Sequence, residues 1–331
     1  MNQAIEPDNL RLAFWKAQRG KSQKRSVQRY RSELDKNLCR LREEIMEGKV
    51  NVGAYSVFKV YIPKERNIFA PPFSDQVLHH ALMNVCHDNF ERYQIADSYA
   101  CRIGKGTFAA LDRAKSFQRR YSWFLKLDIR KYFDSIRHDT LKTLLARRFK
   151  EEKLLSILAQ IIDTYTIDGE RVGLPIGNLT SQYFANHYLA TADRYAKEVL
   201  RVPAYARYMD DIVLWGNCKT ELLRQGRELE AFLADKLQLR LKHFLVNSTK
   251  RGLPFLGYLL YPDRVRLTRS SRQRFSAKMK LYSRYLQEDS WTQEEYSRHV
   301  LPLIAFVRYG DGGGFRRKLM VGLANFIAFR L

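Results

Sequence analysis

From Trp123 to Asp128 the chain is largely apolar and stops on a carboxylate, the pattern of a short buried strand. Helical stretches are predicted across 139–165, with Leu154, Ile157, Leu158 and Ile161 on one face, and a further helix from about Leu179. Two short strands flank Asp210-Asp211. A helix through Leu222, Leu229, Phe232 and Leu233 follows, then apolar strand candidates at 239–245 and 254–260. With 139–165 set aside as an insertion, the order is β-α-β-β-α-β, the split βαβ arrangement of an antiparallel sheet with helices on one face. The predicted class is α+β, and a fold of this kind hosts many functions.

The flanks read differently. Residues 11–42 hold eleven Lys or Arg against two acids, interleaved with Phe14, Trp15, Tyr30, Leu34, Leu38 and Leu41. Positions 30, 34, 38 and 41 have helical spacing. This is either a solvated helix with one packed stripe or, the reading preferred for its excess charge, a nucleic-acid-binding arm. Arg264 to Arg284 includes eight Lys or Arg and no acid, with Phe275, Met279 and Tyr282 at i, i+4 and i+7. Gly310-Asp311-Gly312-Gly313-Gly314 is the one marked linker signal, expected as a loop between two short helices.

Charge then narrows the partner. The 331 residues are 45% apolar, enough for a real core, and 58 Lys plus Arg against 35 Asp plus Glu leave +23. Polyanions are the expected partners, nucleic acid first and an anionic membrane surface second. The longest apolar runs, such as Leu301 to Val307, fall far short of the ~20 residues of a spanning helix, and the first residues lack a signal sequence's apolar stretch. A soluble intracellular protein is expected. The four cysteines, Cys39, Cys86, Cys101 and Cys218, have no zinc-site spacing and read as reduced packing residues.

The candidate chemistry lies where strands end. In a split βαβ sheet the strand ending at Asp128 neighbours the hairpin carrying Asp210 and Asp211, so three carboxylates converge. Such a cluster is stable at neutral pH mainly when divalent cations neutralise it. Magnesium suits hard oxygen ligands completed by substrate phosphates, and two ions about 4 Å apart can activate a 3′ hydroxyl and stabilise a leaving pyrophosphate. The plainer reading of Asp210-Asp211 is an ordinary turn pair.

Tyr208-Met209-Asp210-Asp211 in an apolar hairpin, preceded by Leu127-Asp128-Ile129-Arg130-Lys131-Tyr132-Phe133-Asp134-Ser135-Ile136, resembles motifs C and A of reverse transcriptases in order and separation. The resemblance implies a right-hand polymerase of fingers, split-βαβ palm and helical thumb. It also implies RNA-directed DNA synthesis with two Mg2+ ions, replaceable by Mn2+, held by Asp128, the Ile129 carbonyl, Asp210 and Asp211. Pro63-Lys64-Glu65-Arg66-Asn67-Ile68 matches the fingers segment whose Lys and Arg hold the incoming triphosphate, here Lys64 and Arg66, which strand alternation puts on one face. Ser98 to Thr107 resembles the next fingers motif, with Arg102 and Lys105 expected on template or nucleotide phosphates. Its Gly104-Lys105-Gly106 is not a nucleotide-hydrolase loop, because Tyr99 stands where the first glycine would be.

Phe133 matches the family's aromatic steric gate, a ring under the sugar that excludes a 2′ hydroxyl. Phe255-Leu256-Gly257-Tyr258 resembles the primer grip, its glycine admitting a nucleic-acid backbone. Tyr208, Leu256, Gly257 and Tyr258 are therefore expected at the template-primer. The basic helix near 264–284 resembles the thumb, with Arg274, Lys278 and Lys280 along the duplex. The implied division is a basic helical extension over 1–48, fingers over 49–120, palm over 121–262 with a helical insertion at 139–170, and thumb over 263–331.

Leu174-Pro175-Ile176-Gly177-Asn178-Leu179-Thr180-Ser181-Gln182 occupies the place of motif B, which usually has Gln before the Gly and Pro after the Ser. Ile176 and Gln182, with the compact length and the Ser98–Thr107 segment, resemble the reverse transcriptases of diversity-generating retroelements. That subfamily implies cDNA made with errors at adenines, together with a small, basic, oligomeric accessory variability protein. A β-branched aliphatic in place of an amide removes hydrogen-bond checking of the nascent pair, so Ile176, Gly177 and Gln182 are the nucleotide-pocket candidates. Group II intron enzymes are disfavoured by the short stretch after the thumb helix. Retron-like and antiphage-defence enzymes remain alternatives, and the non-enzyme alternative is a degenerate polymerase serving as an RNA-binding scaffold. The expected partners are template RNA, its cDNA duplex and deoxynucleoside triphosphates, with no membrane, in the cytoplasm of a bacterial or phage-infected cell.

Overall fold

The computed structural model describes residues 2–61, 65–310 and 313–315. It opens with α1 (Pro7–Gln18), α2 (Arg25–Ser32) and α3 (Leu34–Glu47), the last ended by Gly48 at φ 72, a left-handed cap that glycine adopts freely. A hairpin of β1 (Ser56–Val60) and β2 (Arg66–Ala70) follows, then α4 (Phe73–Tyr93) and α5 (Thr107–Arg120). Phe14, Val27, Leu38, Leu41 and Ile45 are buried in the larger of two cores, and Phe14 meets Phe73 of α4 edge-on at 6.0 Å. The basic segment is therefore a docked three-helix layer, which corrects the expectation of an arm. Its charge is outward all the same: of the eleven basic residues, all but Lys21 are exposed.

The central sheet is built from β3 (Trp123–Ile129), β4 (Ala204–Tyr208), β5 (Asp211–Gly216) and β6 (Leu241–Ser248), antiparallel throughout in the order β4-β5-β3-β6. Between β3 and β4 run α6 (His138–Arg148), α7 (Glu152–Asp163) and α8 (Leu179–Arg194), and α9 (Lys219–Leu237) connects β5 to β6. Removing α6 and α7 leaves the split βαβ order, as expected from the pattern. Alternation along β3 separates two environments. Leu125, Leu127 and Ile129 enter the larger core with α8 and α9, whereas Phe124 enters the smaller core. Lys126 and Asp128 share the face of Phe124.

The strand candidate at 254–260 is two strands, β7 (Leu253–Phe255) and β8 (Tyr258–Leu260), paired with β9 (Val265–Leu267) in a second sheet. The break comes from Leu256 and Gly257, both at positive φ (48 and 87), which form a two-residue hairpin turn. Then come α10 (Arg269–Gln287), capped by Thr268, and α11 (Gln293–Arg308), opened by a Thr292–Glu295 capping box. Phe275 and Met279 are buried and Tyr282 half-buried, so the expected stripe of α10 does pack. Of the glycine-rich linker, residues 311 and 312 lie outside the described residues. All four cysteines are free, but only Cys86 is buried, which corrects the packing role given to the other three. Among the described residues no helix is long and apolar enough to cross a membrane.

Candidate active site

Tyr208 pairs with Asp211 across the β4–β5 hairpin, leaving Met209 and Asp210 as a two-residue turn. Met209 is left-handed at φ 56, a conformation that strains a non-glycine residue by ~1–3 kcal/mol. Asp128 faces Asp211 in the β3–β5 register. On the other side of β3 the register with β6 shifts between Asp128 and Ile129, an irregularity that re-aims the end of the strand. The three carboxylates thus meet at one end of the inner strands β3 and β5, on the floor of a cleft of about 1330 Å³.

They are not equivalent. Both Asp211 oxygens lie close to Lys126 Nζ, at 2.9 and 3.0 Å, and Lys126 also donates to the Pro254 carbonyl at 2.8 Å. Asp128 Oδ2 stands 3.9 Å from Lys242 Nζ and 4.0 Å from His243 Nε2. Burial pushes the Asp211 carboxyl up to about 6, with Lys126 opposing and the neighbouring Asp210 and Asp128 adding to the rise. Asp210 is also raised, by burial first and by the charge of Asp128, with Arg66 and Lys126 opposing. Proton affinity above the carboxylate norm is what a cation would relieve.

Among the described residues no three His, Cys, Asp or Glu side chains already close on one ion. Magnesium does not require such a cage, since it is commonly held by one or two carboxylates plus substrate phosphates. Asp128 and Asp210, with the Ile129 carbonyl, have the hard-oxygen chemistry for it, and Asp211 is the third carboxylate, tied to Lys126.

The cleft wall gathers most of the remaining candidates: Arg66, Phe133, Ile176, Gly177, Gln182, Tyr208 and Leu256 all line it. Lys64 lies outside the described residues. Phe133 is half-buried and meets Tyr132 edge-on at 5.8 Å. The Ile176 carbonyl accepts from Phe69 N at 2.8 Å, which fastens the turn before α8 to β2. Gly177, at φ +125, is required there because a Cβ would stand 2.9 Å from Phe69 O. The Tyr208 hydroxyl accepts from Thr107 Oγ1 at 3.2 Å.

Other expectations are corrected. Arg102 donates from Nε to both Glu91 oxygens and from Nη1 to the carbonyls of Ile95 and Ser98, so its fork ties the loop after α4 and is not free for phosphate. Lys105 donates to Ala96 O at 2.7 Å and lies 5.2 Å over the Tyr99 ring. Tyr258 is fully buried in the smaller core, its hydroxyl donating to Phe306 O, and cannot touch a template-primer. Gly257 serves packing: a Cβ would meet Ser271 Oγ at 2.8 Å and Phe306 Cζ at 3.0 Å. Arg274 and Lys280 are exposed and Lys278 half-exposed on α10, none of them in the cleft wall.

Two residues escaped the sequence reading. Lys126 is the lone basic residue of the apolar strand β3, two positions before Asp128 and so on its face; that spacing was the available signal. Arg207 is likewise a lone charge in β4, fully buried and paired with Asp193 of α8 at 2.7 Å.

Residues 63–260 match the family model described as reverse transcriptase (RNA-dependent DNA polymerase). Protein YkfC of Escherichia coli (strain K12) is 24% identical over 279 residues, covering 68% of this chain and 71% of its own length. The group II intron-encoded protein LtrA of Lactococcus lactis subsp. cremoris is 25% identical over 153 residues, 43% of this chain. This chain spans only 26% of LtrA. Among solved structures, apo telomerase from Candida tropicalis, truncated from its C-terminal domain, superposes with a TM-score of 0.52 at 13% identity, over 68% of this chain and 58% of that one. At that identity the likeness speaks for the fold, an α+β right-hand polymerase with an antiparallel central sheet. With a family model covering more than half of its residues, the chain belongs to the reverse transcriptase (RNA-dependent DNA polymerase) family.

Proposed function

We propose that this protein is an RNA-directed DNA polymerase that makes cDNA on a template RNA. The observation that carries the reading is the meeting of Asp128 with Asp210 and Asp211 at the floor of a cleft walled by Arg66, Phe133 and the turn before α8. Asp128, Asp210, Asp211 and the Ile129 carbonyl would hold two Mg2+ ions, or Mn2+ in their place. When bound, such ions activate a 3′ hydroxyl and neutralise the departing pyrophosphate. Arg66, with Lys64, receives the triphosphate as a charge-assisted clamp. Phe133 crowds the 2′ position, Ile176, Gly177 and Gln182 bound the nascent pair, and Tyr208 and Leu256 border the template-primer. Arg274, Lys278 and Lys280 act on duplex phosphates outside the cleft. The division into extension, fingers, palm and thumb at 48, 120 and 262 belongs to this reading, as does a cytoplasmic site of action. Asp210→Asn is expected to abolish extension of a primed RNA while RNA affinity stays within a fewfold; undiminished extension would remove the site.

The finer reading is an adenine-error-prone enzyme of a diversity-generating retroelement working with a small basic accessory protein, and Ile176 and Gln182 support it. The kinship to LtrA favours a second reading, a bacterial enzyme of the intron-encoded type without an adenine bias. Sequencing cDNA made from one RNA by the parent and by Ile176→Gln separates them. Errors concentrated at template adenines and reduced in the variant support the first; a flat, unchanged spectrum supports the second.

A further inference from the structure

Arg207 is a heavily engaged side chain, and it immediately precedes the Tyr208-Met209-Asp210-Asp211 turn. Both the guanidinium and its partner Asp193 are 0% exposed. Nε and Nη2 form a two-pronged pair with Asp193 at 2.7 Å each, Nη1 donates to Asn186 Oδ1 and to Met209 O at 3.1 Å each, and Nη2 donates to Gln94 Oε1 at 3.2 Å. All five donors of the fork are thereby used. The main chain is engaged as well. Arg207 N donates to Asp97 O and Tyr99 N donates to Arg207 O, both at 2.9 Å, docking the loop after α4 along β4. Asn186 turns its amide to Ala100 O at 2.8 Å, and Ala100, like Met209, lines the cleft.

A buried ion pair is a poor means of stabilising a fold, because packed apolar residues of like volume often do as well or better. What an apolar pair could not do is hold the carbonyl of a left-handed, strained residue in one place. We propose that Arg207 is a positioning residue for polymerisation: braced by Asp193, it clamps the Met209 carbonyl, and through Asn186 the Ala100 carbonyl, and so fixes the aim of Asp210 and the shape of the cleft floor. The inference rests on the polymerase reading of the site. It assigns to Arg207 a geometry that lysine, with one nitrogen and no planar fork, cannot reproduce.

The test uses the full chain and two variants. The first, Arg207→Met with Asp193→Leu and Tyr205→Phe, removes both charges and the hydroxyl that donates to Asp193. The second, Arg207→Lys, keeps the charge and loses the fork. Each is measured for cooperative melting, template-primer affinity, single-nucleotide extension at saturating nucleotide, and Mn2+ affinity without substrate, read from the free-ion electron paramagnetic resonance signal. The expected result is a folded protein with RNA affinity within a fewfold, an extension rate about a hundredfold lower and Mn2+ binding about tenfold weaker. A purely structural role would move the melting curve and leave the Mn2+ affinity alone. Either folded variant with parental extension and Mn2+ affinity overturns the proposal, and should the triple variant not fold, Arg207→Lys decides it. Asp128→Asn, run in parallel, distinguishes the failures: full extension by it sinks the site reading itself, whereas its loss beside unaffected Arg207 variants sinks only this inference.

Discussion

Asp211 carries the sharpest consequence at the level of single residues. With its carboxyl pushed up to about 6, a proton competes with a divalent ion for the site as pH falls through that value. The half-saturating Mg2+ concentration for extension should therefore rise as pH falls from 7.5 to 5.5, and titrating Mg2+ at several pH values checks it. Phe133 poses a separate question of volume. Its ring is half-buried in the cleft wall beside Asp134 and Tyr132. Phe133→Ala should admit ribonucleotides, raising incorporation from ATP relative to dATP by one to two orders of magnitude, as expected where exclusion is steric. An unchanged ratio would place the gate on another residue.

Among the elements, the β7–β8 hairpin separates an apparent nucleic-acid contact from a structural one. Its turn residue Leu256 borders the cleft, but Tyr258, two positions on, points into the smaller core against Phe306 and Tyr309, with ring centroids at 4.7 and 5.3 Å. Tyr258→Phe should lower stability by about 1 kcal/mol, the worth of one hydrogen bond, while template-primer affinity stays within twofold. Denaturant melts and filter binding on the same preparation check both halves. The hairpin is nonetheless coupled to the carboxylates, because Lys126 joins Asp211 to Pro254 of β7.

At the scale of the whole molecule, charge and buried histidines dominate. The docked segment over residues 11–42 and the outer face of α10 carry dense positive charge, so log affinity for template RNA should fall steeply with log salt, by several units of slope. Neutralising Lys278 and Lys280 should flatten that slope, and a salt-independent affinity would contradict it. Folding stability has its own pH dependence. Burial lowers His79 to about 3 and His80 and His187 to about 4, against 6.5 when unfolded. Their contribution is present above about 6.5 and is lost as pH falls toward 4, because the unfolded chain then binds protons that the folded one refuses. The carboxyls of Asp75, Asp210 and Asp211, all raised by burial, act in the opposite sense, favouring the metal-free fold at lower pH. Held to about 3 and 4, the histidines stay neutral across the window in which the unfolded chain takes up protons, so the melting temperature should fall between pH 6.5 and 4. His79, buried with neither ring nitrogen hydrogen-bonded among the described residues, is the clearest source. His79→Leu should raise stability at pH 7 by roughly 1–3 kcal/mol and make the acid decline shallower, a result read from melts across the pH range.

What the sequence determined by itself was whatever depends on local spacing. Short apolar runs and helical stripes mark β3, β4, β5, α8 and α9, and their order dictates which strands pair, so the meeting of Asp128 with Asp210 and Asp211 was legible in the order of residues alone. Phe133, Ile176 and Gln182 came from the resemblance to reverse transcriptase motifs A and B, and all three line the cleft. The roles of charged and hydroxyl groups were not legible, because a side chain's meaning is set by the partner that folding brings to it from far along the chain. Arg102 looked like a phosphate contact until Glu91 and two carbonyls occupied its fork, Tyr258 looked like a grip residue until Phe306 covered it, and the basic segment looked like an arm until Phe14 met Phe73. Tertiary structure alone decided that Lys126 holds Asp211 against Pro254 and that Arg207 joins Asp193 to Met209, since each bond spans separate elements and depends on burial, which weakens water's competition for charge.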